Sequence, residues 1–141
     1  MDFSSVTISF FIHSTEDADL LMKMVRNRFD LEEPEISTEK ITGYFGNEMI
    51  SIRTHIIGVR AQVVAARVIE ALSIGARDSI RTEIEKSLDE HDSLYLRLDR
   101  QSLQDDRLSL SDDEPIRIKL KPKSRSAGRD SMKRQYLELI R

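Results

Sequence analysis

Arg117, Lys119 and Lys121 alternate with Ile116, Ile118 and Leu120, and Lys123 and Arg125 continue the basic series past Pro122. Successive strand residues point to opposite faces, so this alternation predicts a strand over 115–121 with one aliphatic and one cationic face. Same-face residues of a strand lie about 6.6 Å apart. That step is close to the phosphate spacing of a nucleic-acid strand, so the row can follow a phosphate backbone electrostatically. A second run has the same character: Leu94, Leu96 and Leu98 alternate with Tyr95, Arg97 and Asp99, and Arg100 and Gln101 follow. Tyr95 shares a face with Arg97 and offers a ring for stacking on a base or ribose. The candidate RNA-binding residues are therefore Tyr95, Arg97, Arg100, Gln101, Arg117, Lys119 and Lys121. The same pattern would also arise in a polar sheet face laced with ion pairs to Asp99 and neighbouring acids.

Catalytic chemistry has far less to stand on. His13, His55 and His91 are distant from one another in sequence, and none has a histidine at metal-ligand spacing. Asp105, Asp106, Asp112, Asp113 and Glu114 lack the alternation and turn glycine of a calcium loop, which favours a solvated acidic connection. The Asp-Glu-His-Asp run at 89–92 has no identifiable nucleophile and is read as capping or solvation. Gly43 and Gly46 make neither a Walker A loop nor a dinucleotide fingerprint. No catalytic residue, metal site or cofactor is expected.

The two alternating runs need a frame to turn their aliphatic faces inward. Residues 5–13 read as a strand with Val6, Ile8, Phe10 and Ile12 on one side and Ser9, Phe11 and His13 on the other. His-Ser-Thr-Glu-Asp at 13–17 reads as a helix start with Ser14 as the cap, followed by a helix of about 16–29. Strands over about 35–45 and 49–57 meet at Gly46-Asn47, residues that tolerate the positive φ of a tight turn. The second puts Ile50, Ile52, Thr54 and Ile56 on one face and Ser51, Arg53 and His55 on the other. A helix over 59–73 follows, with Gly75 as its stop, and then a surface helix over 76–89 carrying Ile80, Ile84 and Leu88. The leucine strand covers 94–100. Leu108 and Leu110 suggest a short strand, Ser124 to Gly128 a loop, and 129–140 a last helix with Met132, Tyr136, Leu139 and Ile140 on one side. The order is β-α-β-β-α-α-β-β-β-α: a single α+β domain, mainly antiparallel, with helices packed on one face.

Composition is compatible with that reading. A chain of 141 residues with 39% hydrophobic and 33% charged residues suits one domain. No apolar run approaches the roughly 20 residues of a membrane span, and no signal peptide is evident. With no cysteine there is neither a disulfide nor a thiolate zinc site, and a cytoplasmic location is favoured. The net charge of −3 conceals an asymmetry. Residues 115–141 carry +7 and the first 114 carry −10, a split that suggests an interaction tail or a nucleic-acid surface.

His-Ser-Thr-Glu-Asp at 13–17, Gly-Tyr-Phe-Gly-Asn at 43–47 and Leu-Tyr-Leu-Arg-Leu-Asp-Arg-Gln at 94–101 resemble archaeal RNA-binding-domain proteins described as predicted exosome subunits. The resemblance covers about residues 5–121. It implies an α+β fold like that of the large-subunit ribosomal protein contacting 5S RNA. It departs at Glu48, where the family pattern has proline, and it does not reach the basic C-terminal helix.

The chain is therefore expected to hold an RNA-binding-like domain over 1–123 and a basic loop and helix over 124–141 docked on it. The expected role is a non-catalytic RNA-binding protein, an accessory factor in RNA processing (exosome-associated) or ribosome biology. Its partners would be RNA and exosome or ribosome-related proteins, with no membrane. The alternative is a protein-interaction module docking through its acidic helix-bearing side.

Overall fold

The computed structural model describes residues 1–125 and 128–141. Five antiparallel strands form one sheet: β1 (Phe3–His13), β2 (Ile36–Thr42), β3 (Glu48–Ile57), β4 (Leu94–Leu98) and β5 (Ile116–Pro122), in the spatial order β2-β3-β1-β5-β4. The helices are α1 (Ala18–Phe29), α2 (Gly58–Ala71), α3 (Ile74–Thr82), the four-residue α4 (Ile84–Ser87) and α5 (Arg129–Leu139). This is the expected single-domain α+β architecture.

Register carries the period-2 pattern across the whole sheet. Leu96 lies opposite Ile118, Ile118 opposite Ile8, and Ile8 opposite Thr54. The parallel row runs Leu94, Leu120, Val6 and Ile56. All of these side chains are buried, beneath α1 (Leu21, Val25, Phe29) and α2 (Ala61, Val64, Ala65, Val68). Each fully buried aliphatic side chain contributes roughly 1.5–3 kcal/mol by leaving water. One face of the sheet is thus held shut by packing, and the other is left open.

Several boundaries differ from the sequence reading for local reasons. Asp17, and not Ser14, caps α1, accepting a hydrogen bond from the Leu20 amide at 3.1 Å. The β2–β3 connection spans Gly43 to Asn47 and is not a two-residue turn at 46–47. The Gly43 amide donates to the Asn47 carbonyl at 2.6 Å, and Gly46 adopts φ +79°. Gly75 does not stop α2. It lies in the first turn of α3, whose cap is Ser73. The helix expected over 76–89 breaks at Glu83, and Leu108 and Leu110 make single bridges, to Leu72 and Leu98, without forming a strand. The loop expected over 124–128 lies outside the described residues at 126 and 127.

The C-terminal helix is fastened through Asp92. That carboxylate is 1% exposed, on a residue with φ +62°. It accepts from Arg125 Nε at 2.9 Å and Arg129 Nη1 at 2.9 Å, while the Tyr136 hydroxyl donates to the Asp92 carbonyl at 2.6 Å. The Asp89–Asp92 run caps the junction as expected at Asp89, with Glu90 and His91 exposed, and only Asp92 departs from that reading by being buried. Asp89 Oδ1 accepts from the amides of His91 and Ser93, and Asp92 grips the basic tail. Burial opposes the Asp92 charge, yet the hydrogen bonds and charges of Arg125 and Arg129 outweigh it and hold the carboxyl below its ordinary pKa. Met132, Tyr136 and Ile140 are buried in the same core.

Candidate nucleic-acid interface

Antiparallel pairing turns the outward residues of four strands into rows that cross the sheet. One row runs Tyr95, Lys119, Thr7 and His55. The next runs Arg97, Arg117, Ser9 and Arg53, ending at Ser37 on β2. A third places Lys121 beside Ser5 and Ile57. Neighbouring strands are about 4.8 Å apart, so these groups share one continuous surface. Its centre is a concavity of about 450 Å³, lined by Thr7, Ser9, Arg53, His55, Tyr95, Arg117, Lys119 and Lys121 among others. The floor over β1 is made of serine and threonine, small residues that leave room between the flanking cations.

The cations of this face are held in place with little neutralisation. Lys119 Nζ lies 5.6 Å from the Tyr95 ring centroid and 3.9 Å from Asp89 Oδ2. Arg117 stands over Phe11, with its guanidinium 6.0 Å from the ring centroid. Arg97 meets Asp112 at 3.5 Å, a pair exposed enough to contribute little against water. Among the described residues, no ion pair engages Arg53, Arg117 or Lys121. Thr7 Oγ1 lies 3.1 Å from His55 Nδ1. Fixed donors without fixed acceptors suit a mobile anion such as a phosphate, and Tyr95, Phe11 and His55 add rings between them.

Five of the seven expected residues, Tyr95, Arg97, Arg117, Lys119 and Lys121, are thus brought onto one face. Arg100 and Gln101 are not. β4 ends at Leu98, and Asp99 caps a 3-10 turn over Arg100–Gln104 by accepting from the Gln101 amide. Arg100 swings inward, with its side chain 13% exposed. It donates to Glu16 and to the carbonyls of Phe11 and Glu114, and stands 5.9 Å from the Phe10 ring. Gln101 is exposed on the turn, outside the concavity. Arg53, His55, Thr7 and Ser9 were missed as site residues. Their outward register was legible, but not that β1 carries β3 on one side and β5 on the other.

The fold also assembles a group that spacing concealed. His13 Nε2 lies 2.6 Å from Glu114 Oε1, and Glu16 completes a trio whose ligand atoms fall within 4.8 Å of one another. Arg100 occupies Glu16 with a 3.2 Å ion pair, so the cluster ties the end of β1, the turn before α1 and the 110–114 segment together. Among the described residues, no helix is long and apolar enough to cross a membrane.

Comparison with known proteins bears on this surface. Protein AF2318 from Archaeglobus fulgidus, of the DUF54 family, superposes with a TM-score of 0.79 at 26% identity, covering 98% of this chain and 99% of that one. Mth689, a DUF54 protein from Methanothermobacter thermautotrophicus, gives 0.79 at 20% identity, over 99% and 98% of the two chains. SSO0741 from Sulfolobus solfataricus, also DUF54, gives 0.77 at 22% identity, over 96% of each. At 20% and 22% identity, the latter two establish the fold alone. No curated protein matches the sequence. A family model described as RNA binding matches residues 5–122, from within β1 to the end of β5, and the chain therefore belongs to that RNA-binding family.

Proposed function

We propose that the open face of the sheet binds RNA through its phosphate backbone, with Tyr95 and Phe11 beside the path of the bases. The observation that carries this reading is the in-register row Arg97, Arg117, Ser9 and Arg53, flanked by Lys119 and Lys121. A like-charged pair set directly across two strands opposes folding, and a bound polyanion would relieve it. In this reading Arg100 and Gln101 contribute at the rim, Arg100 by fixing the turn and not by direct contact. We read this binding as non-catalytic, in keeping with the RNA-binding family. The wider role is that of a cytoplasmic accessory factor in RNA processing, exosome-associated, or in ribosome biology. That role rests on the family resemblance and on the RNA-binding family, with exosome or ribosome-related proteins as further partners.

The test is RNA affinity measured at several salt concentrations for the wild type and for Arg117→Glu/Lys119→Glu. Each phosphate that a variant no longer neutralises on a single strand should flatten the plot of log K against log salt by about 0.7. A weaker affinity with a slope flatter by more than about one unit supports the reading. A folded double variant that keeps both affinity and slope reduces the row to a solvated face.

A further inference from the structure

The tip of the β2–β3 hairpin presents Tyr44 at 96% and Phe45 at 90% exposure, the two most exposed aromatic side chains among the described residues. Such exposure forgoes the stabilisation that burying each ring would bring. The pair is nevertheless held in a defined arrangement. The rings contact edge to face, with centroids 5.0 Å apart and planes at 86°, which leaves ring faces free. The loop beneath them is closed by the Gly43 amide on the Asn47 carbonyl and by the Gly46 amide on the Gly43 carbonyl. Gly46 has φ +79°, so this loop shape depends on that glycine, whereas a Cβ at Gly43 would meet only the end of the Asn47 side chain. Nothing in the core uses these rings.

Their position relative to the open face suggests a ligand. The strand that leaves the loop is β3, which carries Arg53 and His55 into the concavity. Arg53 is about 17 Å from Glu48 along that strand. Between them the open face offers Ser51 and Met49 on β3, opposite Phe11 and His13 on β1, while Glu39 on β2 beside Ser51 and Glu114 beside His13 border that path with carboxylates. An extended nucleic-acid strand leaving the arginine row along β3 would arrive at the tip after a few nucleotides. That length falls within the roughly 4–16 nucleotides covered by sheet-based single-strand binders. A protein partner suits the tip less well. Two aromatic side chains offer on the order of 300–500 Å², against roughly 800 Å² per partner for a stable protein interface. One or two unpaired bases fit that area, and every base has a face to stack.

We infer that Tyr44 and Phe45 form a stacking finger for unpaired bases of the RNA whose backbone lies on the cationic face, which makes the preferred ligand single-stranded. This rests on the proposed RNA-binding reading of that face. Stacking adds affinity without neutralising phosphates, so the finger and the cations leave different signatures.

The experiment compares wild type, Tyr44→Ala/Phe45→Ala and Arg117→Glu/Lys119→Glu on a uridine oligonucleotide of about 12 residues and on an RNA duplex of similar length. Both rings stand in solvent, so the tip variant should keep the wild-type melting temperature. The expected result is tighter wild-type binding to the single strand, and a tip variant weakened at least about fivefold on it with an unchanged salt slope. Tyr44→Phe/Phe45→Tyr should restore binding, because it keeps both ring faces. Unchanged single-strand affinity in the tip variant overturns the inference. So does a wild-type preference for the duplex, or loss of self-association or of a protein partner in the tip variant with RNA affinity intact. Failure of the underlying reading shows up elsewhere, as a wild-type slope in Arg117→Glu/Lys119→Glu, and would bring this inference down with it.

Discussion

Arg97 and Arg117 are direct cross-strand partners in the β4–β5 ladder, two arginines set opposite one another on the open face. Arg97 leans on Asp112 and Arg117 on the Phe11 ring, so each finds a separate partner and neither shields the other. Like charges placed directly opposite cost roughly 0.2–1 kcal/mol relative to neutral pairs. Arg117→Thr should therefore leave stability unchanged or raise it by about that amount, while weakening RNA binding. Urea denaturation beside RNA titration measures both. Loss of stability in this variant would mean that the arginine serves the fold.

The leucine face makes the opposite demand. Leu96 is 2% exposed and lies opposite Ile118. Leu96→Ala should destabilise by about 2–5 kcal/mol, through the forfeited transfer energy and the cavity left behind. Denaturation midpoints would show this, and a loss below about 1 kcal/mol would contradict the packing described.

Asp92 governs attachment of the C-terminal helix. Asp92→Ala should cost up to about 3 kcal/mol, the low end for a broken buried pair, because Arg125 and Arg129 both reach solvent. The pH dependence follows from its lowered pKa. A carboxylate with a depressed folded-state pKa contributes stability that is complete above its unfolded value and is lost as pH falls through the folded one. Amide hydrogen exchange should thus find α5 loosening first on acidification. In Asp92→Asn that acid-side change should shrink to what exposed Glu85 contributes, since it too pairs with Arg129 and Lys133 of α5 and is held below its ordinary pKa.

Arg100 separates positioning from contact. Its donors join the end of β1, the start of α1 and the 114 carbonyl, a fork that lysine cannot reproduce. Arg100→Lys should lower the melting temperature while leaving the salt slope of RNA binding as in wild type. A flatter slope at unchanged stability would return Arg100 to the binding surface.

The contrast between Arg97 and Arg100 marks what was legible from sequence. Period-2 alternation places Arg97, Arg117, Lys119 and Lys121 outward because Leu96, Ile118 and Leu120 must go inward, and burial decides that for every pair at once. The rule lapses where the strand ends. Asp99 captures the Gln101 amide, the chain turns, and Arg100 finds Glu16, 84 residues away, which no local pattern announces. Arg53 eluded detection for a related reason. Its orientation was local, but its place beside Ser9 and Arg117 depends on strand order, a property of long-range pairing. Asp92 likewise looked like a junction residue, since its role depends on arginines 33 and 37 positions later.

The most direct measurement of the central claim is ultraviolet crosslinking of the folded protein to RNA, with the crosslinked residues identified by mass spectrometry. Crosslinks should concentrate on the open-face positions of β1, β3, β4 and β5, with Tyr95, Phe11 and His55 foremost. They should disappear from those peptides in Arg117→Glu/Lys119→Glu. Crosslinks confined to α1, α3 or α4, or unchanged in that variant, would place RNA on the helical side and contradict the account.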